Sequence, residues 1–168
     1  MIYFPIISGV MALVIAHRTA AALAPENSLR GIEQAASCHA NWVEMDVRLS
    51  RDGELVLMHD ESLERTSSGS GPVGERSLEE LKGLRLRNRD GSLDQSSTVP
   101  TLKEAITLAR ELGLGLVVEM KEEGLEGLLA ESTCREDCIV TSFYHASLCE
   151  LSEISSLKTG IIISALPI

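Results

Sequence analysis

His17 and Arg18 close an apolar run, "ALVIA", and His59 and Asp60 close another, "LVLM". Glu44 and Asp46 stand two apart at the end of "WVEMD", and Glu119 and Lys121 stand two apart after "LVV". Side chains alternate across a strand, so residues i and i+2 share a face. Two carboxylates on one face of a buried strand repel each other and resist desolvation, so a positive group must lie beside them. A divalent cation with hard oxygen ligands, Mg²⁺ or Ca²⁺, meets that need, and Glu119 would complete a three-carboxylate site. The two imidazoles can exchange protons near neutral pH, while Arg18 and Lys121 can face an oxyanion. Together these groups suit cleavage of a phosphoryl ester.

Such groups converge only if the fold delivers each to the same end of a sheet. Short apolar runs alternate with stretches of helical period, the pattern of βα units around a parallel sheet. It predicts strands at 11–16, 42–47, 54–58, 114–119, 138–142 and 160–164, and helices at 27–38, 77–83, 101–112, 124–131 and 146–155. Asn27 and Ser28 can cap the first helix, Ser77 precedes Glu79 and Glu80, and Thr101 stands three before Glu104. The carboxyl ends of parallel strands open onto one face, where His17, Arg18, Glu44, Asp46, His59, Glu119 and Lys121 would meet. His39 and His145 lack comparable charged company and read as structural.

Residues 61–100 break the rhythm: they are polar, rich in Gly and Ser, and hold one short predicted helix. A connection this long inside a compact domain is usually functional or disordered. Its "GSGPVG" at 69–74 matches G-x-G-x-x-G only formally, because no strand leads into it and Pro72 interrupts it.

With 168 residues, 44% of them hydrophobic, the chain can build one sizeable core, and 1–168 reads as a single domain. Its 15 basic and 25 acidic residues give a formal charge of −10, which disfavours nucleic acid and anionic membrane as partners. Aromatics at 3% supply no base-stacking platform. Cys38, Cys134, Cys138 and Cys149 form no C-x-x-C pair and read as reduced thiols of a cytoplasmic chain. Residues 1–16 are apolar, but a membrane span needs about 20 such residues, and Pro5, Ser8 and Gly9 interrupt this run. It is expected to be a buried strand with an irregular lead-in, without stable membrane insertion.

The motifs "AHR…APENS", "VEMDVRLSRDGELVLMHDESLERTSSGSG", "VPTLKEAI" and "LVVEMK", in this order, resemble the glycerophosphodiester phosphodiesterase family. The resemblance implies an α/β fold of the (β/α)8 TIM-barrel type, with residues 61–100 as a small insertion after the third strand, over the active-site mouth. It implies that Glu44, Asp46 and Glu119 bind one divalent cation, with Glu26 beside the metal shell. His17 and His59 would be the general acid/base pair, and Arg18 and Lys121 the phosphate contacts. The implied reaction hydrolyses a small-molecule glycerophosphodiester to an alcohol and glycerol phosphate. A phospholipase-D-like lyase stopping at a cyclic phosphate is one competing reading. An inactive or partner-dependent shortened barrel that binds metal or phosphate is another.

Two departures from the family stand out. Its His-Arg-Gly is His17-Arg18-Thr19 here, and a threonine where the backbone needs positive φ predicts a displaced loop at Arg18. The chain also carries about six βα units where a barrel has eight. An open sheet exposes two edges: either a partner such as a second copy of the chain covers them, or the N-terminal apolar segment adds structure there, or the stability is poor.

Overall fold

The computed structural model describes residues 12–132 and 137–164. Residues 1–11, with most of the apolar lead-in, and Cys134 lie outside the described residues. Six strands form one sheet: β1 (Ile15–Ala16), β2 (Trp42–Leu49), β3 (Leu55–Leu57), β4 (Gly115–Met120), β5 (Cys138–Ser142) and β6 (Lys158–Ile161). Five α-helices connect them: α1 (Leu29–Ser37), α2 (Leu78–Lys82), α3 (Leu102–Glu111), α4 (Glu126–Ser132) and α5 (His145–Ile154). The strand order is β1-β2-β4-β5-β6, all parallel, with β3 attached to β2.

β3 corrects the expectation of a third parallel strand, because it runs antiparallel to β2 and pairs Val47 with Leu57 and Leu49 with Leu55. The cause is local. "SRDGE" at 50–54 makes a tight reversal in which Gly53 takes φ +88° and Ser50 N–H bonds Glu54 O at 2.9 Å. Val47 pairs with Met120 of β4 on one edge and Leu57 on the other. The edge of β2 that carries β1 at Trp42 and Val43 therefore carries β3 further along. The carboxyl ends of β1 and β3 approach each other along that edge, with Glu44 and Asp46 between them.

The helix starts follow the sequence logic. Thr101 and Ser77 each accept from the third residue of their helix, whose Glu returns a bond to the cap backbone, so both α3 and α2 open with full capping boxes. Ser28 alone caps α1, accepting from Gly31 N–H at 3.0 Å. The apolar stripes of α1 and α3 bury Ile32, Ala35, Leu102, Ala105, Ile106 and Ala109 against Val43, Met45, Leu116, Val118 and Val140 of the sheet. Full burial of each large aliphatic side chain contributes about 1.5–3 kcal/mol.

Residues 61–100 assemble a second cluster, in which Leu63, Val73, Leu81, Leu86 and Val99 surround Val56 and Met58. The insertion thus packs on β3 and has a core of its own, while Arg30 on α1 bonds its Asp94 at 2.6 Å.

β6 begins at Lys158, two residues before the expected strand at 160–164. Lys158 and Thr159 pair with Ile139 and Val140, and Ile161 and Ile163 stay 62% and 72% exposed. At an open sheet edge hydrophobicity no longer marks what is buried, and backbone pairing sets the start instead. The sheet does not close among the described residues. Beside β1, an apolar groove of about 680 Å³ runs between Val14, Ala16, Ala20, Leu23, Ala35 and Cys38.

Candidate active site

Parallel register sets three carboxylates side by side. Asp46 is paired with Glu119 across β2 and β4, and Glu44 lies two residues back on the same face. One oxygen from each of Glu44, Asp46 and Glu119 lies within 4.8 Å of the others. Asp46 is 1% exposed and Glu44 9%. Glu44 Oε1 and Asp46 Oδ1 are both buried without a hydrogen-bond partner. Burial first, and then the charges of Asp46 and Glu119, push the Glu44 carboxyl up to about 7, against the opposing Arg18 N–H.

These features fit a hard divalent cation. Two oxygens at 2.3–2.6 Å from a common Ca²⁺ stand at most about 5 Å apart, and Mg²⁺ demands a slightly tighter set. The orphaned oxygens are acceptors without a donor, with only Lys121 Nζ near Asp46 Oδ1 at 3.7 Å, and burying them so is costly unless further charge compensates.

The cationic side chains border this cluster. Lys121 Nζ bonds Glu119 Oε1 at 2.6 Å and lies 3.7 Å from Asp46 Oδ1. Arg18 donates its backbone N–H to Glu44 Oε2 at 2.6 Å and Nη1 to Glu26 Oε1 at 3.3 Å. Its Nε is buried, 3.8 Å from Asp46 Oδ2, and has no hydrogen-bond partner, leaving a donor for an anion.

The Arg18 loop adopts the left-handed backbone despite Thr19. Arg18, Thr19 and Ala20 all take positive φ, at +47°, +57° and +73°. Thr19 is fully buried, and its Oγ1 accepts from Ser28 N–H at 2.9 Å, which offsets part of the strain. The loop also presses on α1, since a Cβ on Gly31 would stand 2.0 Å from Thr19 O.

His17 follows Ala16, the register partner of Val43, so it stands beside Glu44, with Nε2 3.9 Å from Glu44 Oε2. Its ring is 73% exposed. His59 is more enclosed, its Nδ1 2.7 Å from Asp60 Oδ1 and its carbonyl accepting from Arg48 Nε and Nη2 at 3.1 Å. Glu26 stands outside the three-carboxylate group; its oxygens bond Arg65 Nη1 and Nη2, each at 2.8 Å. His145 bonds Ile162 O at 3.0 Å and His39 ends α1 at φ +57°, so neither joins the site.

Four participants escaped sequence reasoning. Asn27 holds Asp46 rather than capping α1. Arg48 lies two residues after Asp46 on the same face, the spacing already used for Glu44, and its Nη1 bonds Glu122 at 3.1 Å. Glu122 also accepts from Leu49 N–H at 2.7 Å. Arg65 stands in an exposed stretch where nothing in the sequence separates it from a surface arginine.

Charged groups at the strand carboxyl ends of a parallel α/β sheet mark the face on which α/β proteins build their sites. The chain belongs to the glycerophosphoryl diester phosphodiesterase family, whose model matches residues 17–164. A glycerophosphodiester phosphodiesterase of Caldanaerobacter subterraneus subsp. tengcongensis is 34% identical over 160 residues, covering 89% of this chain and 66% of that protein. A phosphodiesterase of Oleispira antarctica, solved with its product sn-glycerol-3-phosphate, superposes with a TM-score of 0.81 at 34% identity, over 94% of this chain and 68% of that one. The Thermotoga maritima glycerophosphodiester phosphodiesterase gives 0.77 at 30% identity, over 94% and 64%. The chain thus spans about two thirds of the length of these relatives. No helix among the described residues is long and apolar enough to cross a membrane.

Proposed function

We propose that the chain hydrolyses glycerophosphodiesters to an alcohol and glycerol phosphate. The observation that carries this reading is the buried carboxylate cluster with two orphaned oxygens, with His17 beside Glu44 and with Arg18 Nε near Asp46 but without a hydrogen bond. Family membership and the product bound to the Oleispira antarctica relative support it.

Glu44, Asp46 and Glu119 would hold one Mg²⁺ or Ca²⁺, with Glu26 outside the ligand set as a counter-charge for Arg18 and Arg65. When bound, such an ion polarises a phosphoryl oxygen and neutralises the charge that develops on it. Arg18 Nε and Lys121 Nζ orient the remaining phosphate oxygens. His59 presents Nε2 to the substrate, because Asp60 engages Nδ1. One imidazole takes the proton of the attacking hydroxyl, and the other gives a proton to the departing alkoxide. The insertion, tied to α1 through Asp94 and Arg30, would roof the mouth. The thiols of Cys38 and Cys149 are compatible with a cytoplasmic setting.

The test is divalent-dependent release of glycerol phosphate from a glycerophosphodiester, followed in Glu44→Ala and His59→Ala. Both should lose turnover while keeping their circular dichroism; unchanged activity in both would sink the reading. Phosphorus NMR of the product separates hydrolysis from a lyase that stops at a cyclic phosphate.

The open sheet favours a second reading, in which activity needs a partner. Ile161 at the end of β6 and Ile163 just beyond it are exposed, and the groove beside β1 is apolar. A second copy of the chain covering these edges would appear as a dimer by light scattering, with activity rising as protein concentration rises.

A further inference from the structure

Outside the carboxylate cluster, the densest set of charged contacts centres on a side chain to which the reaction scheme gives no role. Arg65, from the insertion, grips two carboxylates at once. Its Nε and Nη2 bond Asp60 Oδ2 and Oδ1 at 2.5 and 3.0 Å, and its Nη1 and Nη2 bond Glu26 Oε2 and Oε1 at 2.8 Å each. Asp60 Oδ1 also meets His59 Nδ1, and Glu26 Oε1 also meets Arg18 Nη1.

We propose that Arg65 is a positioning residue for proton transfer, fixing the carboxylate plane of Asp60 that orients the His59 ring. The inference rests on reading His59 as the proton-exchanging imidazole.

The geometry gives the reason. The His59 carbonyl is pinned by Arg48, which leaves rotation of the ring as the remaining freedom. Asp60 removes that freedom only while its own carboxylate cannot turn. A planar guanidinium bonding both oxygens of the carboxylate prevents the turn, and a lysine, as a single point donor, cannot. The Asp60 carboxyl is held below the usual carboxylate range, chiefly by the Arg65 hydrogen bond, and so remains a charged acceptor for Nδ1–H. That acceptor selects the tautomer with Nε2 open to substrate. Half-exposed ion pairs stabilise a fold little, which makes orientation the better account of a fork filled on both sides. Through Glu26 the same side chain steadies the Arg18 guanidinium, coupling the insertion to both charged loops.

The test compares wild type with Arg65→Gln, Arg65→Lys, Asp60→Asn and Arg65→Gln/Asp60→Asn. Two measurements are made: kcat and KM for glycerophosphocholine at saturating Mg²⁺, and the His59 ring ¹⁵N shifts, which report the tautomer with or without turnover. Wild type should show the Nδ1–H tautomer. Arg65→Gln should show a tautomer mixture and a kcat lower by about tenfold to a hundredfold, with KM within about threefold. Arg65→Lys should recover only part of the loss, and the double variant should fall no further than Asp60→Asn alone. An unchanged tautomer in Arg65→Gln, or losses that multiply in the double variant, would overturn the proposal. If Arg65→Gln does not fold, Arg65→Lys decides by the same ring shifts. If wild type shows no turnover, the hydrolase reading fails and the tautomer comparison still judges Arg65.

Discussion

Asn27 and Asp46 form a closed pair: Asn27 Nδ2 donates to Asp46 Oδ2 at 2.8 Å, and Asn27 Oδ1 accepts from the Asp46 backbone N–H at 3.0 Å. Both residues are buried, and Asn27 sits at φ +54°, a conformation asparagine tolerates better than most residues. The pair turns Asp46 Oδ1 toward the cluster by occupying Oδ2.

Asn27→Ala removes both bonds and leaves a buried carboxylate oxygen without its donor. We expect a loss of about 2 kcal/mol in stability, read by chemical denaturation. Divalent affinity should weaken by about 10- to 100-fold, read by titration calorimetry.

Glu44 gives the cation-free protein an unusual pH dependence. Its carboxyl is raised from 4.5 to about 7 in the fold, so between those values the native state keeps a proton that the unfolded chain has lost. Stability in chelator should therefore fall as pH climbs from about 5 to 7, by a few kcal/mol. Glu44→Gln should flatten that fall, and added Mg²⁺ or Ca²⁺ should offset it, as melting temperatures across pH 5 to 8 would reveal.

Asp94 acts on the acid side. Bonds from Ser96 Oγ and N–H, and then from Arg30 and Ser97, hold its carboxyl below the usual range. That contribution is present above pH 4 and disappears as pH drops further. Asp94→Asn should cost about 1–2 kcal/mol at pH 7 and progressively less as the pH is lowered below 4, measured by urea unfolding across that range.

Gly31→Ala tests the fit of the Arg18 loop on α1. The added methyl would stand 2.0 Å from Thr19 O and 2.5 Å from Thr19 Oγ1, and backbone must move to admit it. A loss of about 2 kcal/mol or more follows from overpacking, together with reduced phosphate affinity as Arg18 shifts. Inorganic phosphate binding by calorimetry would measure the second effect.

The carboxylates, imidazoles and parallel strands were readable because i, i+2 spacing and strand-end position translate directly into a shared face. Glu44 next to Asp46 needs no further information. Glu119 lies level with Asp46 by a register that the apolar runs delimit within a residue or two. The direction of β3 is not legible because "LVL" is equally apolar whichever way it runs; only the length of the Ser50–Glu54 reversal separates a hairpin from a crossover. The φ preference of Thr19 argues against its conformation, and the compensation comes from Ser28, nine residues on. Asn27 acts through a partner 19 residues away, and Arg65 joins Asp60, five residues back, to Glu26, 39 residues back, a bridge that no local pattern announces.

One imidazole rides on the larger hydrophobic cluster and the other on β3, whose Leu55 and Leu57 face that cluster while Val56 faces the smaller one. His17 follows β1 on the main sheet, while His59 follows β3, whose Val56 and neighbouring Met58 belong to the insertion's own nucleus. Warming that loosens the lesser nucleus first would silence catalysis while far-ultraviolet ellipticity stayed intact. Inactivation and melting would then follow two separate curves, and Leu81→Ala would widen the gap between them.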